Sequence, residues 1–282
     1  MSRTIQERLH EGCFAAEVLA AFDHACDLLI SKDRIVALVT RRVGDGPLNV
    51  VVDGPAGLFA GLEPGTPAVL AKDRICVGRL EVALAGATVW EPRPDWKSLR
   101  VRRYAAVARL PLLRVLCLEQ ALSRGLVALL EAMPTRNVSG RAILVAVHQA
   151  ASVLEAGWEG DPARLQEGAG RLAGLGDGLT PSGDDFLMGV MLRAWLTHPA
   201  PSPFCRTLVE AAADLTTTLS AAFLRAAGRG ECRAAWHTLL TALCEGTDAE
   251  VAEATRDVLA HGATSGADAL TGFLWARSSL SL

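Results

Sequence analysis

The pattern Ser-Gly-x-Asp-x-Leu-x-Gly stands twice in this 282-residue chain, at residues 182–189 and again at 265–272. Each copy opens an apolar run with helical spacing. A serine and an acid three residues apart have the geometry of a capping box, which by itself only finishes a helix start. That account leaves the glycines unexplained. Gly183 and Gly266 fall in the first helical turn, and Gly189 and Gly272 two turns in, where glycine costs about 1 kcal/mol relative to alanine. Glycine at those places fits close contact between packed helices. The pattern therefore predicts that the two helices cross at Gly189 and Gly272 and bring their N-termini to one cavity. Ser182, Asp184, Asp185, Ser265 and Asp268 would then surround a shared small ligand.

The first copy follows a glycine-rich loop, in which Gly174, Gly176 and Gly178 alternate ahead of Thr180-Pro181-Ser182-Gly183. Alternating glycines allow positive φ and close approach of the backbone to a ligand. A helix N-terminus directly afterwards offers unpaired N–H groups and the positive end of a dipole, a seat for an anion. The positions expected to bind the ligand are Gly176, Asp177, Gly178, Thr180, Ser182, Gly183, Ser265 and Gly266. Asp184, Asp185 and Asp268 are the candidate catalytic or orienting acids. They are hard oxygen ligands that could hold Mg²⁺ beside a phosphate or serve in acid/base work, and the pattern requires no cofactor. His261, just ahead of the second copy, is the candidate acid/base histidine. The loop is not a Walker loop, because no lysine follows the glycines.

The chain changes texture near residue 95. From about Ala25 to Trp90, short apolar and β-branched runs alternate with turn residues such as Gly44-Asp45-Gly46-Pro47, Asp53-Gly54-Pro55 and Glu63-Pro64-Gly65. This predicts strands at 28–30, 35–40, 48–52, 68–70, 75–77, 80–84 and 88–90, arranged as a small barrel or sandwich. Glu91-Pro92-Arg93-Pro94-Asp95 reads as an extended link. Beyond it the apolar period becomes helical. Asp161-Pro162 and Ser202-Pro203 mark helix starts, and glycines such as Gly157, Gly174 and Gly262 mark stops. Helices are expected near 97–110, 112–132, 141–156, 162–173, 182–197, 203–227 (with a break), 231–244, 248–260 and 265–277. The fold class is α+β: a strand-rich domain over 1–95 and a mainly helical domain over 96–282.

A net charge of −3 gives no long-range attraction to nucleic acid. The seven cysteines include no CxxC pair, and an odd count without framework spacing suits free, buried thiols in a reducing compartment. The N-terminus has no signal-peptide run and no apolar stretch is long enough to span a bilayer, so the expected location is the cytoplasm. His10, His24, His198 and His237 have no ligand-like neighbours, so no zinc site is expected, and His148 reads as a packed histidine. Thr216, Thr217, Thr218 and Ser220 either face the cavity or mark a helix break. Lys97, Arg100, Arg102, Arg103, Arg109 and Arg114, with no acid before Glu119, read as a solvated helix face or as a contact for an anionic substrate or acidic partner. No Gly-x-Ser-x-Gly elbow is present.

Residues 176–189 resemble the signature of a bacterial family long known only as a domain of unknown function. Its members are now named as a subunit of oxamate carbamoyltransferase, associated with anaerobic allantoin breakdown (purine degradation). The segment from His261 to Asp268 resembles the family's second block, with Ala267 and Ala269 in place of larger residues. The resemblance implies a transferase subunit interconverting oxamate plus carbamoyl phosphate with oxalurate plus phosphate. It also implies a small anionic substrate and partner enzyme subunits, while the charge and the short apolar runs have already set nucleic acid and membrane aside. The alternative is a non-catalytic assembly or ligand-sensing subunit that kept the pocket for binding.

Overall fold

Residues 14–83 form a single, nearly closed, barrel-like sheet of seven strands rather than a sandwich of two sheets. A computed structural model describes residues 1–31, 34–55, 57–121, 125–131, 141–158 and 160–275. The strands are β1 Phe14–Ala21, β2 Ala25–Ser31, β3 Arg34–Thr40, β4 Asn49–Val52, β5 Pro67–Leu70, β6 Arg74–Val77 and β7 Leu80–Ala83, in the spatial order β4-β3-β2-β1-β5-β6-β7. All neighbours are antiparallel except β3 and β4. Period-two alternation puts Ala68 and Leu70 of β5, and Ile75 and Val77 of β6, into the core. A short helix, α1 Arg3–His10, adds Ile5 and Leu9, one turn apart on one face, to that same core. Lys32 and Asp33, between β2 and β3, lie outside the described residues.

Three expectations are corrected in this unit. Residues 88–90 make no strand, and Trp90 forms only an isolated parallel bridge to Ser2. Conversely, β1 and α1 lie in segments with no strand or helix expected. β1 reads Phe-Ala-Ala-Glu-Val-Leu-Ala-Ala, and alanine is a poor strand former, so its pairing with β2 and β5 overrides local preference. In α1 only two side chains are apolar enough to be buried, too few for a periodic signal; a Ser2 cap accepting the Ile5 N–H starts the helix. The compact unit comprises 1–92 and the short return segment Glu231–Ala234. That segment hydrogen-bonds through Cys232 N to Pro92 O and through Ala234 N to Asp45 O.

The second unit, 93–230 with 235–282, is helical. Its helices are α2 Trp96–Val101, α3 Arg103–Ala108, α4 Leu110–Gln120, α5 Arg141–Trp158, α6 Pro162–Leu172, α7 Ser182–Thr197, α8 Pro201–Ala212, α9 Thr218–Gly228, α10 Ala234–Glu245, α11 Asp248–Leu259 and α12 Ser265–Trp275, with a 3₁₀ helix at Gly125–Leu130. Asp161 caps α6 through the N–H groups of Ala163 and Arg164, as its Asp-Pro start predicts. The expected helix 97–110 is broken at Arg102, and α8 starts at Pro201, ahead of the expected 203. Of the expected helices 112–132 and 265–277, residues 122–124, 132 and 276–277 lie outside the described residues. The expected basic face is largely spent on carbonyls at helix ends rather than simply solvated. Arg100 reaches Trp195 O, and Arg109 reaches both Leu243 O and Gly246 O at the end of α10. Cations suit the negative end of a helix dipole.

Candidate functional site

The two copies of the Ser-Gly-x-Asp pattern open α7 and α12, and these helices cross in main-chain contact. A Cβ added at Gly189 would lie 1.8 Å from Ala269 O, and one added at Gly272 would lie 2.0 Å from Phe186 O. Phe186 and Ala269 hold the same place in the two copies, so the crossing is reciprocal. Each helix also packs tightly on the helix before it. A Cβ at Gly183 would stand 2.1 Å from Leu172 O of α6, and one at Gly266 would stand 2.0 Å from Val258 O of α11. The four motif glycines are therefore contact points.

That crossing brings the N-termini together. Thr180 Oγ1 and Ser265 Oγ are 3.0 Å apart across the two copies. The expected capping box does not form on α7, where Pro181 is the N-cap and no side chain caps the helix. Ser182 sits one residue too far along the helix to cap it, and its hydroxyl is hydrogen-bonded to Asp268 of α12 instead. In return, the Ser265 hydroxyl acts on Asp185 of α7, as does that of Thr180. Each helix thus holds the other's acid.

Asp185 is 1% exposed and Asp268 fully buried. Burial, reinforced by the charges of Asp268 and Asp184, pushes the Asp185 carboxyl up to about 8 against the pull of the Ser265 and Thr180 hydroxyls. Burial also raises Asp268, opposed by hydrogen bonds from Leu126 N–H, Ser182 and Thr264. The Leu126 N–H donates to Asp268 Oδ1 at 2.6 Å from the start of the 3₁₀ helix. A Cβ at Gly125, whose φ is +57°, would meet the same oxygen at 2.1 Å. Asp185 Oδ2 and Asp268 Oδ2 are buried and have no hydrogen-bond partner among the described residues.

The other expected residues fall in different places. Asp184 is fully buried and accepts from Gly174 N–H at 3.0 Å, from Ser220 Oγ at 2.8 Å and from Thr216 Oγ1. Its acceptors are spent on tying the glycine loop and the start of α9 to α7. Gly183 N–H donates to Leu175 O and Gly266 N–H to His261 O, so neither remains for a ligand. Gly176 has a φ of +116° and packs against Ser182 N, a close approach that glycine alone permits. Asp177 and Gly178 lie exposed on the loop, and His261 is exposed on the turn between α11 and α12.

Sequence reasoning missed Gly125, Leu126 and Thr264, which only tertiary contact brings to Asp268. It also missed Arg193, fully buried in α7 with its guanidinium 5.7 Å from the Phe273 ring centroid. A single cation inside the apolar run 186–196 is the signal that marks it. Among the described residues no group of three or more His, Cys, Asp or Glu is arranged to hold a metal. A separate open cleft of about 760 Å³ has Glu245, Glu250, Glu253 and Asp257 among its lining residues. Its acidic lining is unsuited to an anion.

Among the described residues no helix is long and apolar enough to cross a membrane. No solved structure matches the chain. A family model described as oxamate carbamoyltransferase subunit AllH matches residues 172–277, the stretch that holds both copies of the pattern, and one described as the AllH family N-terminal domain matches residues 1–89. The chain therefore belongs to the AllH family of oxamate carbamoyltransferase subunits.

Proposed function

We propose that this chain works in the cytoplasm as one subunit of an oxamate carbamoyltransferase complex, and that the junction of α7 and α12 binds the carbamoyl or phosphate portion of the substrate. In the synthetic direction the amide nitrogen of oxamate attacks the carbamoyl carbon of carbamoyl phosphate. A C–N bond forms, the bridging C–O bond breaks, phosphate leaves with the electron pair and the nitrogen gives up a proton; phosphorolysis of oxalurate is the reverse. Such a step needs donors aimed at the carbamoyl oxygen and at the leaving phosphate. The two helix N-termini supply favourable dipole ends for that charge, while the hydroxyls of Thr180, Ser182 and Ser265, each with its one proton engaged at the junction, hold Asp185 and Asp268 in place beside it.

The observation that carries this reading is the reciprocal serine–aspartate exchange, which leaves one buried oxygen of each acid unspent. Buried polar atoms without partners are rare and concentrate where a protein does something other than fold. The near-complete burial of both carboxylates favours a second reading, in which the exchange is a polar lock in a non-catalytic assembly subunit. Phosphate-dependent breakdown of oxalurate by the complex assembled from purified subunits separates the two. Under the first reading, Asp185→Asn in this subunit lowers the rate at least a hundredfold while the complex still assembles. A fully active Asp185→Asn complex would leave only the assembly role.

A further inference from the structure

We infer that a hard divalent cation of the Mg²⁺ class binds between the Asp185 and Asp268 carboxylates where α7 meets α12. Its role as the seat of the substrate's phosphate rests on the function proposed above; its existence rests on the geometry alone. Two acids from different helices are buried to within 1% of completely, and each turns one oxygen, Oδ2, to no donor among the described residues. A bare carboxylate oxygen in a low-dielectric interior is unfavourable, and two in one place more so; a proton or a cation between them is what relieves it. Among the described residues, the groups that act on the two acids are hydroxyls, the Leu126 N–H and other carboxyls, with no arginine or lysine among them.

The side-chain atoms that bond the two acids are hydroxyl oxygens, joined at Asp268 by the Leu126 N–H. The hydroxyls of Thr180 and Ser265 lie 3.0 Å apart beside Asp185, and Ser182 and Thr264 bond Asp268. Among the described residues no imidazole or thiol bonds either acid, although the buried Cys117 thiol lies within reach of the Asp268 charge. A third carboxylate is not needed, because Mg²⁺ is commonly held by one or two carboxylates and completes its shell with water and substrate phosphate. The electrostatics of the substrate point the same way. A phosphate dianion placed beside two carboxylates is repelled, and a cation between them turns that repulsion into attraction.

The test uses the full chain with Mn²⁺ as the spectroscopic stand-in, titrated by electron paramagnetic resonance. One Mn²⁺ per chain is expected, displaced by Mg²⁺, with affinity at least tenfold lower in Asp185→Asn and in Asp268→Asn and unchanged in Glu253→Gln of the acidic cleft. A measurement without any variant stands beside it. Fe²⁺ with peroxide, replacing the cation, should cut the backbone near 180–185 and 264–268. Cleavage confined to 245–257, no Mn²⁺ binding at millimolar concentration, or binding that survives both aspartate substitutions would each overturn the inference. Failure of the two proposals is distinguishable. An assembled complex that is fully active in chelator, without bound Mn²⁺, removes the cation alone. Mn²⁺ bound as expected beside a fully active Asp185→Asn complex removes the function and leaves the cation site.

Discussion

Replacing Gly189 or Gly272 with alanine tests the helix crossing on which the site depends. On propensity alone each change should stabilise, because alanine in a helix interior is favoured over glycine by about 1 kcal/mol. The contacts oppose this. The new Cβ would lie 1.8 Å from Ala269 O and 2.7 Å from Phe273 N in the first case, and 2.0 Å from Phe186 O in the second. The obstructing atoms belong to the main chain of the facing helix, so no rotamer change relieves them and the helices must part by more than about 1 Å. Overpacking of this kind costs about 1–3 kcal/mol, and a main-chain obstruction belongs at the upper end. Taking about 3 kcal/mol for the parting and returning about 1 for propensity, each single variant loses about 2 kcal/mol. Since one parting relieves both clashes, the double variant loses about 3 and regains about 2, for a net loss of about 1 rather than the additive 4. Such coupling is expected only for residues that share a contact. Urea unfolding followed by tryptophan fluorescence measures it, because Trp96, Trp158, Trp195, Trp236 and Trp275 all lie in the helical unit. A single variant more stable than the parent by the propensity term, or losses that simply add, would refute the reciprocal crossing.

Asp184→Ala removes the acceptor for Gly174 N–H and for the Thr216 and Ser220 hydroxyls. With buried donors left unpaired, the helical unit should lose about 3 kcal/mol in urea unfolding; a loss under about 1 would show that the loop is held otherwise. In the strand unit, burial raises the Asp27 carboxyl to about 6 against the pull of the Arg233 charge. Folded Asp27 therefore holds its proton more tightly than the unfolded chain does. Its contribution to stability is full below about pH 4 and is lost as the pH rises to about 6, about 3 kcal/mol in all. Asp27→Asn should flatten the fall of the urea midpoint across that window, and an unchanged slope would count against the shift. Cys13 is exposed and Cys76 half-buried, while Cys26, Cys117, Cys205, Cys232 and Cys244 are buried, with their thiols pushed up by desolvation. An aromatic disulfide reagent should therefore titrate one fast and one slower thiol in the native chain and release the other five on unfolding; three or more fast thiols would contradict the burial.

Much of the site was legible because it is written in residues that violate local preference. Glycine within helices predicted the crossing, and the shared pattern predicted that Ser182, Asp185, Ser265 and Asp268 meet, but not that Asp184 turns away to the glycine loop and α9. The serines were harder. Their three-residue distance to an acid of the same helix suggests self-capping, and only the crossing reveals that each serine serves the other helix's acid. Asp184 and Asp185 are adjacent and identical in sequence, yet one is saturated with donors and the other keeps an idle oxygen. Nothing local separates them, because they point about 100° apart around the helix and the difference lies in what packs there. The contribution of Leu126 to Asp268 spans more than a hundred residues and leaves no periodic trace. In the strand unit the alternating runs of β5 and β6 were readable, whereas the alanine-rich β1 was not, because its strand state is imposed by its neighbours on both sides.

The differences between the two copies separate scaffold from site. α6 and α7 are joined by residues 173–181, a long loop with three glycines at positive φ, whereas α11 and α12 are joined by the shorter turn 260–264. The short turn closes through main-chain bonds, His261 N–H to Val258 O and Gly266 N–H to His261 O. The long loop needs a further strut, and Asp184 provides it by accepting the Gly174 N–H while gripping the hydroxyls at the start of α9. The second copy has Ala267 at the corresponding place, and its turn has no such need. Ser, Gly, the later Asp and the last Gly recur because the crossing and the acid exchange require two of each. Of the residues common to both copies, the glycines are where a substitution should part the helices and the serines and aspartates where it should break the acid exchange, while Asp184, present in one copy only, is where it should loosen the glycine loop.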